Sequence, residues 1–308
     1  MISIIGAGNV GSAIAFLCGT SGLDEVVLIN RNENKAIGEA LDISNAIPET
    51  SKVSIRGTSD YSAIKNSSVI VITASVGSHI NTRSDIMLDQ SKMISNLSQQ
   101  ISKYSPNSKI LMVTNPVDIM TYLLQKLGRL KSQNVIGIAS SLDSSRFRYI
   151  LAKQFHTVQS EIHDAMVLGE HDDSMVPIFS QAKYGKTPIE ELLTDKQKAQ
   201  ITSDVRDYWK SLRYFKGTSV FGIAKKTFDA LESITEKKPL DTIASTLLDG
   251  QYGFNNICMG VPVTINENGI SKIHQISIND TEKVELSKSA NVIQANIDKL
   301  NKFLNSTL

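Results

Sequence analysis

Three glycines near the amino terminus restrict the fold of this chain more than any other feature. They follow a short apolar run, Ile2–Ile5, that is typical of a strand, and a helix-like segment, Asn9–Thr20, overlaps them. Gly6 permits a tight turn, Gly8 lets the backbone approach a pyrophosphate, and Gly11 lets helix and strand pack closely. The N–H groups at the start of the helix would then face the phosphates. The pattern predicts a dinucleotide-binding βαβ unit, and a glycine-rich turn without a ligand is the alternative.

The first half of the chain alternates apolar runs with helix-like segments. Nearly continuous apolar runs are typical of strands buried on both faces, and the alternation predicts right-handed βαβ units in a parallel, doubly wound sheet. The predicted strands are Ile2–Ile5, Val26–Ile29, Val53–Ile55, Val69–Thr73, Ile110–Thr114 and Val135–Ile138. The predicted helices are Asn9–Thr20, Asn34–Ile47 and Ile86–Tyr104.

The second half mixes strand-like runs with longer helical stretches, which predicts an α+β domain. The helical stretches are Leu142–Phe155, Thr194–Leu212, Ser219–Glu232 and Thr281–Asn305, and the strand-like runs are Ile162–Leu168, Ile257–Ile265 and Ile270–Ile276. A chain of 308 residues is long enough for two domains. The predicted fold class is therefore α/β, with a Rossmann domain over residues 1–140 followed by an α+β catalytic domain over residues 141–308.

Composition narrows the partners and the compartment. A formal net charge of +1 argues against nucleic acid or an anionic membrane as a partner. The two cysteines, Cys18 and Cys258, lie in no metal-binding or CxxC spacing, so they are predicted to be reduced, and no metal site is expected. The uncharged first 19 residues do not predict a signal peptide, because no basic segment precedes them and glycines interrupt them. Without a stretch of about 18 apolar residues, a cytoplasmic location is expected.

The end of the second predicted strand bears on the choice of cofactor. An acidic residue is expected about 20 residues after the glycines, where it would bind the ribose 2′-hydroxyl of NAD. This chain has Asn30 there, followed by Arg31. Asn30 removes a carboxylate that would repel a 2′-phosphate, and Arg31 can pair with that phosphate. The cofactor is therefore predicted to be NADP or NAD, with NADP favoured; the alternative is a solvated arginine beside an asparagine that still binds the ribose of NAD.

Four further segments occur in a fixed order behind the glycines. They are Thr114–Asp118 (TNPVD), Leu142–Arg148 (LDSSRFR), Gly169–Pro177 (GEHDDSMVP) and Lys216–Ser219 (KGTS). In this order the set resembles the lactate/malate dehydrogenase family, and the resemblance covers essentially the whole chain. It implies oxidation of a small 2-hydroxy acid, or reduction of a 2-keto acid, by a homodimer or homotetramer.

Histidine chemistry agrees with the resemblance. A base must take the proton of a secondary alcohol, and His171 fits because an imidazole titrates near neutrality. The resemblance implies that Asp143 orients His171 and that Arg146, three residues further on, captures the substrate carboxylate. It also implies that Asn115 bonds the reacting oxygen and that Ser219 lines the substrate pocket. Taken singly, the histidine could be an ordinary packed residue, and the Asp143–Arg146 pair an ordinary helix salt bridge.

Further contacts with the cofactor are expected beside the glycines. The residues in this group are Asn9, Val10, Thr73, Ala74 and Asn115.

Residues 74–85 correspond to a substrate-covering lid in the family, and here the match weakens. Arg83 matches the arginine that polarises the substrate carbonyl. The position that sets specificity, usually arginine for malate and glutamine for lactate, falls on Gly77 or Ser78, because the loop is one residue shorter. His79 is the only nearby residue that can become a cation; it is expected either to bind the far carboxylate or to be solvated.

A second departure follows the catalytic histidine. Asp172 stands where the family has glycine. Its charge is expected to raise the pKa of His171 and to shift alcohol oxidation toward alkaline pH.

L-Malate is the favoured substrate. The segments Gly38–Ile43 (GEALDI) and Asn115–Tyr122 (NPVDIMTY) are more similar to malate than to lactate dehydrogenases of prokaryotes. L-Lactate or a bulkier 2-hydroxy acid is the alternative. Two other classes stay open: a non-catalytic dinucleotide-binding protein, and a dinucleotide-dependent glycosidase, for which the chain is short and lacks a cysteine–histidine metal pair.

Overall fold

The computed structural model describes residues 1–76, 83–128 and 130–307, and its centre is a large twisted sheet. Parallel strands from the first half form one side of this sheet. They are β1 (Ile2–Ile5), β2 (Val26–Ile29), β3 (Ile55–Thr58), β4 (Val69–Ile72), β5 (Lys109–Met112) and β6 (Val135–Gly137). Their order across the sheet is β3-β2-β1-β4-β5-β6. The order reverses between β1 and β4, and a crevice for a ligand is expected at the carboxyl ends of the strands there.

Helices connect these parallel strands. They are α1 (Asn9–Ser21), α2 (Glu33–Ala46), α3 (Arg83–Tyr104) and α4 (Val117–Gly128). α1 packs with α2, and α3 packs with α4. The doubly wound sheet with connecting helices confirms the predicted fold class of the first half.

The second half contributes the remaining elements. The helices are α5 (Ser140–Gln154), α6 (Ile189–Leu192), α7 (Asp195–Lys216), α8 (Phe221–Thr235) and α9 (Asp280–Thr307). The short strands are β7 (Ile162–His163), β8 (Met166–Leu168), β9 (Val176–Ile178), β10 (Lys183–Tyr184) and β11 (Thr187–Pro188). The long antiparallel strands are β12 (Leu240–Asp249), β13 (Asn255–Asn266) and β14 (Gly269–Ile273).

The long antiparallel strands extend the parallel sheet beyond β6. β12 joins β6 where Ser245 pairs with Gly137. A Cβ on Gly137 would lie 2.7 Å from Cβ of Ser245 and 2.7 Å from Oγ1 of Thr121, so only glycine fits this junction. The close approach brings β12 against α4, and the hydrophobic core continues from one half of the chain into the other.

Several elements differ from the sequence predictions. The third strand is Ile55–Thr58 and not Val53–Ile55; it is a half-exposed edge strand, so its apolar signal is weak. The run Ile162–Leu168 is divided into β7 and β8, because Asp164 between them has a φ of 54°. Neither α4 nor β12 was predicted.

Both cysteines are buried and unpaired, and burial raises the pKa of the Cys18 thiol to about 12. In residues 1–76, 83–128 and 130–307, no helix combines the length and apolar character needed to cross a bilayer. Within the same ranges, no three histidine, cysteine or acidic side chains gather as metal ligands would.

Candidate active site

The glycine loop between β1 and α1 fits tightly against the carboxyl end of β4. Gly6 has a φ of +115°, and a Cβ on it would lie 2.6 Å from the backbone nitrogen of Ala74 and 2.7 Å from Oγ1 of Thr73. A Cβ on Gly11 would lie 1.9 Å from the carbonyl oxygen of Gly6. The Thr73 hydroxyl donates a hydrogen bond to that same oxygen at 2.9 Å. The fold itself therefore requires glycine at both positions.

Gly8 has a different environment from the other two glycines. No atom lies within 4 Å of the position that its Cβ would occupy, and its backbone is extended. It precedes α1 without a capping side chain, so the N–H groups of Asn9 and Val10 have no side-chain partner there. Gly6, Gly8 and Ala74 line a cavity of about 920 Å³. Uncapped N–H groups beside an open cavity suit a pyrophosphate, so these residues fit a dinucleotide.

The same cavity reaches the carboxyl end of β2. Asn30 and Arg31 both line it, and Arg31 is exposed. Oδ1 of Asn30 accepts a hydrogen bond from the backbone N–H of Asn32 at 3.1 Å. Lys35, in the first turn of α2, also lines the cavity and was not assigned from the sequence. Two cationic side chains therefore border the cavity at the position expected for the ribose.

His171 and Asp143 are in direct contact. His171 follows β8, and its Nδ1 lies 2.5 Å from Oδ2 of Asp143 in the first turn of α5. The Asp143 side chain is 1% exposed and that of His171 is 14% exposed. Burial lowers the pKa of His171, but the charge and hydrogen bond of Asp143, with the charge of Asp118, raise it above the ordinary value overall. With Nδ1 held by a carboxylate, Nε2 is the nitrogen that can exchange a proton with a ligand.

Arg146 lies one helical turn after Asp143 in α5. Its Nη1 donates a hydrogen bond to Oδ1 of Asp143 at 3.0 Å, so the two oxygens of this carboxylate hold the arginine and the histidine separately. Nε of Arg146 is buried and has no hydrogen-bond partner among the described residues. Leaving a buried charged donor unpaired is costly, and a bound anion would satisfy it.

A buried carboxylate supports the backbone at His171. Oδ2 of Asp118, in the first turn of α4, accepts a hydrogen bond from the backbone N–H of His171 at 2.8 Å, and Oδ1 accepts one from the Ser245 hydroxyl at 2.6 Å. Burial raises the pKa of Asp118 to about 6, although both hydrogen bonds oppose the shift. Asp118 lies within the TNPVD segment, but no role for it was predicted from the sequence.

The residue before the histidine, Glu170, is a second carboxylate for which the sequence predicted no role. The Glu170 N–H donates to the hydroxyl of Ser289 in α9 at 2.8 Å, and Oε2 of Glu170 accepts from the Ser174 hydroxyl at 2.5 Å. Burial raises the pKa of Glu170 to about 7. The bond to Ser289 anchors the loop that carries His171 to the last helix, and the bond to Ser174 lies within the loop.

For two other predicted site residues, Asn115 and Ser219, the structure gives the location in the fold and the degree of exposure. Asn115 is exposed in the link between β5 and α4, and its peptide bond to Pro116 is cis. Ser219 is half-buried between α7 and α8; a Cβ on nearby Gly222 would lie 2.7 Å from Cδ1 of Leu142, so the start of α8 lies against the start of α5.

Residues 77–82 of the predicted lid lie outside the described residues. Gly77, Ser78 and His79 all lie outside them. Arg83 begins α3, but its side chain is not among those described.

The chain combines a cavity that fits a dinucleotide, at the switch point of a parallel sheet, with a histidine held by a buried carboxylate and an arginine with an unpartnered donor. This combination defines a nicotinamide-dependent oxidoreductase of a small carboxylic acid. Residues 1–137 match the family model of the lactate/malate dehydrogenase NAD binding domain, and residues 140–304 match that of the alpha/beta C-terminal domain. The chain therefore belongs to the lactate/malate dehydrogenase family and is an NAD-dependent oxidoreductase.

Relatives within this family carry both names. The chain is 33% identical to the malate dehydrogenase of Staphylococcus carnosus over 299 residues, which covers 95% of this chain and 96% of the relative. It is also 33% identical to the L-lactate dehydrogenase of Bacillus velezensis over 305 residues, with 95% of each chain covered. The structure of the Cryptosporidium parvum lactate dehydrogenase, complexed with lactic acid and nicotinamide adenine dinucleotide, is similar with a TM-score of 0.92, 32% identity and 97% coverage of both chains.

Proposed function

We propose that this enzyme interconverts L-malate and oxaloacetate, with L-lactate or another 2-hydroxy acid as the alternative substrate. The observation that carries the 2-hydroxy acid reaction is the contact of one buried carboxylate, Asp143, with both His171 and Arg146. A proton-exchanging group and an anion-binding group are thereby fixed side by side, as a substrate with adjacent hydroxyl and carboxylate groups requires. The malate-like segments Gly38–Ile43 and Asn115–Tyr122 favour malate.

In this proposal His171 exchanges a proton with the substrate. During oxidation, neutral His171 takes the proton of the hydroxyl group, and during reduction the imidazolium returns it. Asp143 orients the ring and stabilises the imidazolium. When bound, the nicotinamide cofactor supplies the acceptor or donor of the hydride. Gly6, Gly8 and the start of α1 would hold its pyrophosphate.

Other residues orient the substrate. Arg146 binds the substrate carboxylate through the donors that Asp143 leaves free. Asn115 and Arg83 bond the reacting oxygen, and Ser219 lines the pocket. The far carboxylate of malate needs a separate partner, and we assign it to His79, because the specificity position is Gly77 or Ser78 and neither can carry a charge.

Initial rates with two keto acids test the substrate. We expect NADH or NADPH oxidation to be fast with oxaloacetate and slow with pyruvate. His79→Gln should raise the Michaelis constant for oxaloacetate and leave that for pyruvate unchanged; His156→Gln, a histidine outside every motif, is the control. Fast turnover of pyruvate alone would refute malate as the substrate and leave the reaction class intact. Turnover of neither keto acid would move the substrate to another 2-keto acid.

We also propose that the enzyme accepts NADP, in preference to NAD. Asn30, Arg31 and Lys35 line the cavity without a carboxylate among the three, and both cations can pair with a 2′-phosphate. The experiment compares the Michaelis constants for NADH and NADPH in the native enzyme and in the Asn30→Asp variant. The variant should shift the preference toward NADH, because the new carboxylate repels the 2′-phosphate. A large preference of the native enzyme for NADH would refute the proposal.

We propose that identical chains associate. At the junction of α7 and α8, Tyr214, Phe215 and Phe221 are 84%, 83% and 74% exposed, which is unusual for neighbouring aromatic residues. A second copy of the chain would cover them. Light scattering after gel filtration should give at least twice the mass of one chain, and Phe215→Ser with Phe221→Ser should reduce it; the mass of a single chain for the native protein would refute association.

We also propose that the chain divides into two domains near residue 140.

A further inference from the structure

The guanidinium of Arg146 lies over an aromatic ring of α7. The ring centroid of Tyr208, in α7, lies 5.3 Å from Cζ of Arg146. Tyr149, one helical turn after Arg146, contacts the same ring edge-on, with centroids 6.3 Å apart and an interplanar angle of 90°. Tyr208 therefore contacts two side chains of α5. Its spacing from Arg146 is within the range of an attractive cation–π contact.

The backbone that carries Tyr208 is fixed on both sides. Val205, three residues earlier, is fully buried in the core of the second half. Arg206 donates two hydrogen bonds, from Nε at 3.1 Å and Nη2 at 2.9 Å, to the carbonyl oxygen of Met175. Met175 belongs to the loop that carries His171, so one turn of α7 contacts both Arg146 and this loop. These contacts fix the position of the backbone from which the Tyr208 ring extends toward Arg146.

We propose that Tyr208 is a positioning residue for Arg146. The Tyr208 ring fixes the plane in which the guanidinium of Arg146 receives the substrate carboxylate. Asp143 holds Nη1 of Arg146, and Cζ of the same guanidinium lies over the Tyr208 ring. The bond to Asp143 and the contact with Tyr208 together restrict the orientation of the guanidinium, and therefore that of its unpartnered Nε. A guanidinium binds both oxygens of a carboxylate only when the two groups are nearly coplanar. By fixing the plane of the guanidinium in advance, the ring lowers the entropic cost of ordering Arg146 when the substrate binds. The inference rests on the proposed role of Arg146.

The test compares variants of Tyr208 in the full-length enzyme. Tyr208→Leu removes the aromatic face, and we expect the Michaelis constant for the keto acid to rise about tenfold. A factor of about ten in affinity lies between the strengths of a solvent-exposed and a desolvated cation–π contact. The turnover number and the Michaelis constant for NADH should stay within about twofold of the native values, since His171 and the cofactor cavity are not touched. Tyr208→Phe keeps the ring and should retain the native Michaelis constant.

A matched control comes from the other half of the chain. Tyr104 in α3 is also half-buried, and Nζ of Lys103 lies 4.7 Å from its ring centroid. Tyr104→Leu removes a comparable contact far from Arg146 and should leave both kinetic constants unchanged. Should Tyr208→Leu be isolated unfolded, Tyr208→Met replaces it, because methionine keeps the apolar volume without the aromatic face and the same tenfold rise is expected.

Two results would overturn the inference. An unchanged Michaelis constant for the keto acid in folded Tyr208→Leu or Tyr208→Met would show that Arg146 does not need the ring. Equal losses for the keto acid and NADH would show a merely structural role. Arg146→Gln removes the charge and distinguishes these failures from failure of the proposed function: if it leaves the Michaelis constant for the keto acid unchanged, Arg146 does not bind the carboxylate.

Discussion

Asp118 accepts a hydrogen bond from the backbone N–H of His171 at 2.8 Å, although 53 residues separate them in the chain. The same carboxylate accepts a hydrogen bond from Ser245, so a single buried side chain joins α4, β12 and the loop that carries His171. Asp143 and Arg146, by contrast, both belong to α5. The position of the histidine backbone therefore depends on Asp118, and the orientation of its ring depends on Asp143.

Asp118→Asn should weaken both stability and activity. An asparagine side chain has one acceptor oxygen, so it cannot serve the His171 N–H and the Ser245 hydroxyl as two carboxylate oxygens do. We expect a loss of about 2 kcal/mol in the free energy of unfolding and a fall of about tenfold in kcat/KM. Ser245→Ala, which leaves the bond to His171 intact, should cost less in kcat/KM. Thermal denaturation and steady-state kinetics measure both; native values for Asp118→Asn in both would contradict this account.

The pH dependence of catalysis should follow the raised pKa of His171. Oxidation needs the neutral imidazole, so its kcat/KM should fall as the pH drops through a midpoint above 6.5, while reduction should fall as the pH rises through it. Asp143→Asn removes the strongest cause of the rise, and the midpoint should move to lower pH. Asp172→Gly tests the prediction from the sequence that the charge of Asp172 also raises the pKa of His171. The midpoint should move in the same direction as in Asp143→Asn, but by less. An unmoved midpoint in Asp143→Asn would exclude His171 as the titrating base.

Glu170 should make the folded protein less stable at alkaline pH. Its pKa is about 7 in the folded state, against 4.5 ordinarily, so the folded protein binds the proton more tightly than the unfolded chain. The resulting stability is fully present below pH 4.5 and is lost as the pH rises through about 7. After allowance for partial exposure, the loss is about 2 kcal/mol, or about 4 °C in melting temperature.

Glu170→Gln tests this directly, because it removes the titrating group at nearly constant volume. The variant should lose less melting temperature between pH 5 and pH 8 than the native enzyme does. Glu49→Gln, at an exposed position, is the control and should follow the native curve. Parallel curves for Glu170→Gln and the native enzyme would contradict the expectation.

The fold was predictable where local pattern and burial agree. β1, β2 and β4 are buried along their whole length, so continuous apolar runs identified them. α4 was missed because it is buried on most sides and follows an Asn115–Pro116 turn, so its sequence shows no clean helical period. β12 was missed because it mixes polar and apolar residues along its length.

The site was predictable where a motif carried it. His171, Asp143 and Arg146 lie in quoted segments, and the structure brings them together. Asp118 and Glu170 lie in the same segments, but their importance depends on burial and on partners more than 100 residues away, such as Ser245 and Ser289. Tyr208 belongs to no motif, since only the packing of α7 on α5 places it over Arg146.

The glycine loop gives a prediction that separates folding from cofactor binding. Gly11→Ala places a methyl group where the carbonyl oxygen of Gly6 lies, so the variant should lose several degrees of melting temperature or fail to fold. Gly8→Ala places the methyl group in open space on an extended backbone, so its melting temperature without cofactor should equal that of the native enzyme. Its methyl group enters the cavity, however, and should weaken NADH binding by at least about tenfold. Calorimetric titration with NADH, beside thermal denaturation without it, measures the two effects. Native affinity in folded Gly8→Ala would mean that the dinucleotide does not approach the backbone at Gly8, and would displace the pyrophosphate from the start of α1.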